Sequence, residues 1–309
     1  LEQLLNRCNA RTRGDSVSTR LFSHREGFRY WKIEECFSEL LTWLWDNVVD
    51  PAYQVLASHG IHSGRLWWLP TGSFTGLPLH ACSPTNQFIH SYTSTLGSLL
   101  EARIVRTASV PYKVGVVGVT HTGPGNSYYL KGVELEVEKI SSVIMEPNLE
   151  CLEGEQATPD AVKNLLQNCS WVHLACHGKQ NLREPIKTHL SLYNGMLELE
   201  TILQMPLSNP EFVFLAACQT AMGDVDLVNE SFHLGGGFIA AGFRGAIGML
   251  WPMNDEDGPL VAETFYSHLF QDGKRPQVTD AAEALHLAVR KLREKKVPYE
   301  RWIPFIHMG

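Results

Sequence analysis

Residues 171–178 read Trp-Val-His-Leu-Ala-Cys-His-Gly, and residues 212–220 read Phe-Val-Phe-Leu-Ala-Ala-Cys-Gln-Thr. Each is a short apolar run that stops abruptly in small and polar residues, as a strand buried on both faces does where it meets a loop. The same texture recurs at 114–119 and 246–251. Between these runs the apolar spacing turns helical. Val133, Val137, Ile140 and Ile144 fall at i, i+4, i+7 and i+11, and Thr158 with Pro159 makes an N-cap and first-turn proline ahead of Val162, Leu165 and Leu166. Further helices are expected over 230–241, 260–270 and 280–293. Strands alternating with helices predict an α/β fold, a six-stranded mostly parallel sheet flanked by helices over residues 113–309.

Upstream the pattern is different. Trp31, Ile33, Cys36, Phe37, Leu40, Leu41, Leu44, Trp45 and Val48 recur every three or four residues, which is one face of a helix that Pro51 interrupts or restarts. A stripe this aromatic reads as a packing face rather than a ligand box. Segments 66–69, 77–81 and 88–92 read as short strands or an irregular layer. The expected division is a helical extension over 1–60 and one domain over 61–309, itself an N-terminal layer (61–112) and the α/β core (113–309). Because the first residue is Leu1 and not methionine, an upstream region is expected to precede the extension.

Composition narrows the function. The chain has 309 residues, 44% apolar and 19% charged, with 26 basic against 33 acidic side chains and a formal net charge of −7. That length builds a core without disulfide or metal staples. Apart from a short stretch at 290–296 there is no dense Lys/Arg run, so no nucleic-acid partner is expected. Seven cysteines without a C-x-x-C pair fit neither a disulfide framework nor a thiolate zinc site. No metal or cofactor is expected, and the implied compartment is reducing. With no apolar run near the ~20 residues that span a bilayer, the expected location is the cytoplasm, with no membrane partner.

Ligands of open α/β sheets bind beyond the carboxyl ends of the strands. Two such ends here carry nucleophile chemistry. If strands 171–176 and 212–217 are neighbours, His177 and Cys218 face each other, and an adjacent imidazole is what a thiol needs to become a thiolate. His177 then also protonates a leaving amine. The backbone N–H groups of Gly178 and Cys218 are candidate oxyanion donors. The plainer alternative stands beside this: cysteine is among the most buried residue types, and a strand-end histidine is often a core group. Packing roles are expected for His173 and Cys176. The i, i+4 spacing of His173 and His177 lies on a strand with no third ligand, which argues against metal. Gly235, Gly236 and Gly237 match no phosphate-binding motif and are expected to allow close helix packing or to mark a local break.

The blocks at 172–178 and 214–220 resemble the paired His-Gly and Ala-Cys blocks of the CHAT domain, a caspase-like and separase-like cysteine peptidase family. Residues 65–72 with 77–81, 245–259 and 300–309 resemble its other blocks in the same order. The texture is similar to CHAT domains of large fungal proteins that follow a helical repeat array. The resemblance implies a caspase-type sheet of order 2-1-3-4-5-6, His177 as general base and acid, Cys218 as nucleophile, and hydrolysis of peptide bonds in a protein substrate. It also implies control by an upstream helical repeat or sensor region, in defence or regulated cell death.

In separase-like relatives a carboxylate after a strand ending in Leu-Trp selects a basic residue. Here Leu250-Trp251 precede Asp255, Glu256 and Asp257, while Pro259 stands where that acid falls. Asp255, Asp257 and Gln219 are therefore candidate substrate-binding residues, and Asp257, just before Gly258-Pro259, reads equally as an N-cap. Two other functions share these motifs: a signalling or oligomerisation module of the same fold without turnover, and acyl transfer or thioester hydrolysis.

Overall fold

The structure, a computed structural model, describes residues 24–83, 87–104, 112–123, 129–179, 181, 183–216, 230–271 and 275–309. The chain opens with helix α1 (His24–Leu44), a π-helical turn (Trp45–Val49) and helix α2 (Asp50–Ser58). Pro51 lies in the first turn of α2, immediately after the π-helical turn, so the helical run changes its hydrogen-bond pattern just ahead of the residue that has no N–H to donate. Cys36, Phe37, Leu40, Leu41 and Leu44 are buried in the same core as the sheet, and Phe37 packs 5.6 Å from Trp251 between ring centres. The aromatic stripe is a packing face.

Strands β1 (Gly64–Trp68) and β2 (Phe88–Tyr92) follow, then α3 (Leu96–Ala102), whose N-cap Thr95 accepts the Ser98 N–H at 2.9 Å. Next come β3 (Val114–Gly118), α4 (Gly132–Val143), β4 (Leu149–Glu153) and α5 (Pro159–Asn168). Thr158 caps α5 and Pro159 occupies its first turn. The chain continues through β5 (Trp171–Ala175), β6 (His177–Lys179), β7 (His189–Leu192), β8 (Gly195–Glu198), α6 (Leu199–Gln204) and β9 (Phe212–Leu215). It ends with α7 (Glu230–Ala240), β10 (Gly245–Met249), α8 (Gly258–Leu269), α9 (Ala281–Glu294), α10 (Tyr299–Trp302) and β11 (Phe305–Met308).

The main sheet runs β1-β2-β11-β10-β9-β5-β3-β4, and its only antiparallel pair among the described residues is β10 with β11. From β4 to β11 this is the expected 2-1-3-4-5-6 order. The sheet is extended, however, from six strands to eight. Strand β2 pairs with β11 at Tyr92 and Met308, and β1 pairs with β2 along five rungs, so two of the segments expected as short strands or an irregular layer are strands, and they cover an edge that would otherwise expose its backbone groups. Residues 79–81 form a 3₁₀ turn rather than a strand.

Helices sit close on the sheet where glycine permits. A Cβ at Gly115 of β3 would collide with Leu165 of α5, and one at Gly237 of α7 with Leu199. Gly235, against Met308, and Gly237 of α7 thus serve close packing, while Gly236 between them faces open space. Among the described residues no helix is long and apolar enough to cross a membrane.

Candidate active site

Strands β5 and β9 are hydrogen-bonded parallel neighbours, paired from Trp171↔Phe212 to Leu174↔Leu215. Beyond β5 the chain passes Cys176, which is fully buried, and burial pushes its thiol up to about 12. Such a thiol stays protonated and inert at neutral pH. His177 follows, half-buried, and opens β6; Gly178 beside it is buried. Strands β6, β7 and β8 make a separate antiparallel sheet. Cys218 and Gln219 lie outside the described residues.

Asp255 follows β10 at the same end of the sheet. Burial holds its carboxyl above the ordinary Asp range; the nearby His177 opposes that rise, while Glu136 and Glu256 reinforce it. The structure therefore brings Asp255 within electrostatic reach of His177. Its backbone is pressed onto the start of α4, since a Cβ at Gly132 would collide with the Asp255 carbonyl.

Asp257 is placed differently. Its carboxylate is buried and held by both arms of Arg301, Nε to Oδ2 at 2.7 Å and Nη2 to Oδ1 at 2.7 Å. It occupies the N-cap position of α8 but makes no side-chain capping bond. The capping expectation gives way: the carboxylate oxygens face a bidentate guanidinium, a stronger partner than a single backbone N–H of the helix start.

Between β5, α4 and α8 lies a polar cluster with no counterpart in the expected site. His173 of β5 is fully buried, with Nε2 at 3.0 Å from Glu136 Oε1 and Nδ1 at 3.2 Å from the Tyr266 hydroxyl. With Nε2–H donating to the carboxylate, Nδ1 accepts the tyrosine O–H. Burial and Glu136 raise the Tyr266 phenol well above its ordinary value, which keeps it a donor. His173 thus packs, as expected, but as the centre of a Glu-His-Tyr chain. The signal for Glu136 was in the sequence: it occupies the apolar face defined by Val133, Val137 and Ile140, where an acid has to be partnered.

A second cluster lies away from these strand ends. Between β2, β11 and α9 is a cavity of about 60 Å³ lined in part by His80, His90, His286 and His307. His80 Nε2 donates to the Ile303 carbonyl at 2.9 Å; His90 Nδ1 accepts the Trp68 indole N–H at 2.7 Å. Burial is the leading cause holding all four imidazoles below their ordinary range.

The sheet order, with its one antiparallel strand at β11 and its small β6-β7-β8 sheet after the histidine, defines a caspase-like fold. The chain belongs to the CHAT-domain family, whose model matches residues 38–309. No curated protein matches its sequence. Among solved structures it is similar to the Arg-specific cysteine proteinase gingipain R (RgpB), with a TM-score of 0.53 and 11% identity over 89% of this chain and 67% of that one. The complex of the Porphyromonas gingivalis RgpB pro- and mature domains gives a TM-score of 0.53 and 10% identity over 100% of this chain and 75% of that one. The Saccharomyces cerevisiae separase–securin complex gives 0.53 and 13% identity, over 79% of this chain and 15% of that one.

Proposed function

We propose that this chain is a cysteine endopeptidase in which His177 and Cys218 form the catalytic dyad. One observation carries the reading. Strands β5 and β9 are parallel neighbours whose last paired residues are Leu174 and Leu215, and His177 and Cys218 each stand three positions further along their own strand's sequence. Equal spacing past two in-register parallel strands is what a dyad carried at neighbouring strand ends requires, and it supports this reading. The cysteine-proteinase likeness of the fold supports the same chemistry.

In the proposed reaction His177 takes the Cys218 proton, and the thiolate sulfur bonds to the scissile carbonyl carbon while the carbonyl electron pair moves to oxygen. The N–H groups of Gly178 and Cys218 stabilise that oxyanion. Collapse breaks the C–N bond, and the leaving amine takes the proton from His177. Water, deprotonated by His177, then cleaves the thioester and restores the thiol. Asp255, within reach of His177, and Gln219, next to the nucleophile, line the substrate side. Control by an upstream helical repeat or sensor region in a cytoplasmic defence or cell-death setting completes the proposal.

The full chain is tested against a positional peptide library. Cys218→Ala and His177→Ala each abolish cleavage. Cleavage that survives either substitution overturns the dyad. Biological output retained by Cys218→Ala favours the silent signalling module instead.

A further inference from the structure

His177 does not stand alone on its strand. In the β6-β7-β8 sheet it lies opposite Ser191, which lies opposite Met196; the next rung on the same face is Lys179, His189 and Glu198. Directly opposed residues share a face, and alternate residues point to the other one. The other face carries Gly178, Leu190 and Leu197, and both leucines are buried in the core. The face bearing His177 is therefore the outward one, and Met196 on it is 55% exposed. An apolar side chain this exposed, in line with a catalytic imidazole and separated from it by a small serine, makes a trough with an apolar far wall. Adjacent strands lie about 4.8 Å apart, so the trough spans roughly 10 Å from His177 to Met196.

The trough is fixed in place. The turn joining β7 to β8 is tied down twice, Tyr193 N–H to the Ala157 carbonyl at 3.0 Å and Asn194 N–H to the Thr122 carbonyl at 3.1 Å. At its far end Leu199 N–H donates to the Thr188 carbonyl at 2.8 Å. A surface held this way selects ligands without first paying an ordering cost.

We infer that this outward face of β6-β7-β8 is the leaving-side subsite of the peptidase, and that Met196 selects an apolar residue immediately after the scissile bond. The inference rests on the dyad reading above and deepens it. The chemistry dictates the direction: the group that protonates the leaving amine must lie within hydrogen-bond reach of it, so the residue carrying that amine sits over the surface from which His177 emerges. Its side chain has Ser191 beneath it and Met196 at its end. A medium-length apolar side chain such as Leu, Met or Phe covers that span, whereas a carboxylate or ammonium there loses hydration against the thioether. Positions further along meet the mixed-charge rung of Lys179, His189 and Glu198, which discriminates less by sign.

The test uses full-chain protein and peptides varied only at the residue after the scissile bond. The wild type is expected to prefer Leu, Met or Phe over Asp and Lys by about tenfold or more in kcat/KM, the scale of discrimination an apolar subsite delivers. Met196→Glu is expected to cut the apolar-to-lysine ratio about tenfold. Met145→Glu provides the control: Met145 is 80% exposed and follows the far end of α4, at the amino ends of the parallel strands and so at the opposite end of the sheet from β6, and the ratio is expected to stay put. A peptidyl electrophile carrying only residues before the scissile bond separates the two ways of failing. A wild type that neither cleaves nor is labelled on Cys218 overturns the dyad and the subsite with it. A wild type that is labelled and cleaves, yet shows no preference at this position or an unchanged ratio in a folded Met196→Glu protein, overturns the subsite alone.

Discussion

Acidification from pH 7.5 to 5.5 is expected to remove about 3 kcal/mol of stability through two histidines, His80 and His90, at about 1.4 kcal/mol each. Both line the cavity between β2, β11 and α9, and both rings have their two nitrogens engaged while neutral. His90 accepts the Trp68 indole N–H on Nδ1, so its Nε2–H meets the Tyr53 hydroxyl at 2.9 Å. His80 donates to the Ile303 carbonyl and turns Nδ1 toward the Tyr92 hydroxyl at 2.9 Å. A further proton brings an uncompensated charge into a buried site that α9 faces with His286, Arg290 and Arg293. Burial holds His80 down to about 4, and burial with the neighbouring His80 and His286 holds His90 down to about 3.

The unfolded chain titrates these groups near 6.5. A folded value below the unfolded one gives stability that is complete above about pH 6.5 and is lost as pH falls from there toward the folded value, because the unfolded chain then binds more protons. At pH 5.5 the unfolded chain carries about 0.9 proton on each ring and the folded chain almost none, which is the source of the 1.4 kcal/mol. Glu34, Asp255 and Glu300 are raised by burial and act with the opposite sign, since the folded chain takes up their protons more readily as pH falls. Urea unfolding in half-unit steps reads the slope directly. His90→Gln is expected to reduce it by nearly one proton. A wild-type stability flat to within about 1 kcal/mol across the interval refutes the reasoning.

Two further outcomes follow from contacts at the strand ends and under the helices. Arg301→Met leaves the Asp257 carboxylate buried without its bidentate partner and is expected to cost about 3 kcal/mol by thermal unfolding; adding Asp257→Leu recovers part of that loss, since the uncompensated charge is then gone. Gly115→Ala drives a methyl into Leu165 and is expected to cost 1–3 kcal/mol, approximately the range for overpacking, with a smaller effect in a Leu165→Ala background because the space is then open.

Local patterns in the sequence carried the core of the fold. The runs begun at Val114, Trp171, Phe212 and Ala246 supply strands β3, β5, β9 and β10, and the helical spacing around Val133 and Val162 marks helices, because both signals are written within one or two turns of chain. What depends on distant partners was not legible. Whether residues 64–68 and 88–92 form their own layer or extend the sheet is decided by the edge of β11, more than two hundred residues downstream. Asp257 illustrates the same limit: an acid before Gly-Pro looks like an N-cap whatever its side chain does, and only the fold reveals Arg301. The histidine cavity is assembled from β2, α9 and β11 together with His80, four separate stretches with no shared motif. Asp255 was legible as a candidate, but its proximity to Glu136 and His177 comes from the docking of the loop after β10 onto α4.

The Glu136-His173-Tyr266 chain raises the question of what a buried polar cluster contributes at this end of the sheet. A core of the same shape built from apolar side chains forgoes three desolvation penalties, so such a cluster seldom adds net stability. Its members nonetheless depend on one another. His173→Leu strands the Glu136 carboxylate, 2% exposed, and is expected to cost 3–5 kcal/mol, about the loss when one partner of a buried pair is removed; Glu136→Leu leaves the imidazole N–H unpaired and costs roughly 1–3 kcal/mol. The combination Glu136→Leu, His173→Leu and Tyr266→Phe removes all three polar groups together and is expected to return to within about 2 kcal/mol of wild type in urea. Its effect on the site should be larger than its effect on the fold. Burial, with Glu136 adding to it, raises the Asp255 carboxyl, and Gly258 lies so near Glu136 that an added Cβ would sit 2.8 Å from Oε2, so the acid also sets how the loop after β10 seats on α4. A triple variant as unstable as His173→Leu alone shows instead that the chain is held for stability, and the argument from desolvation fails for this core.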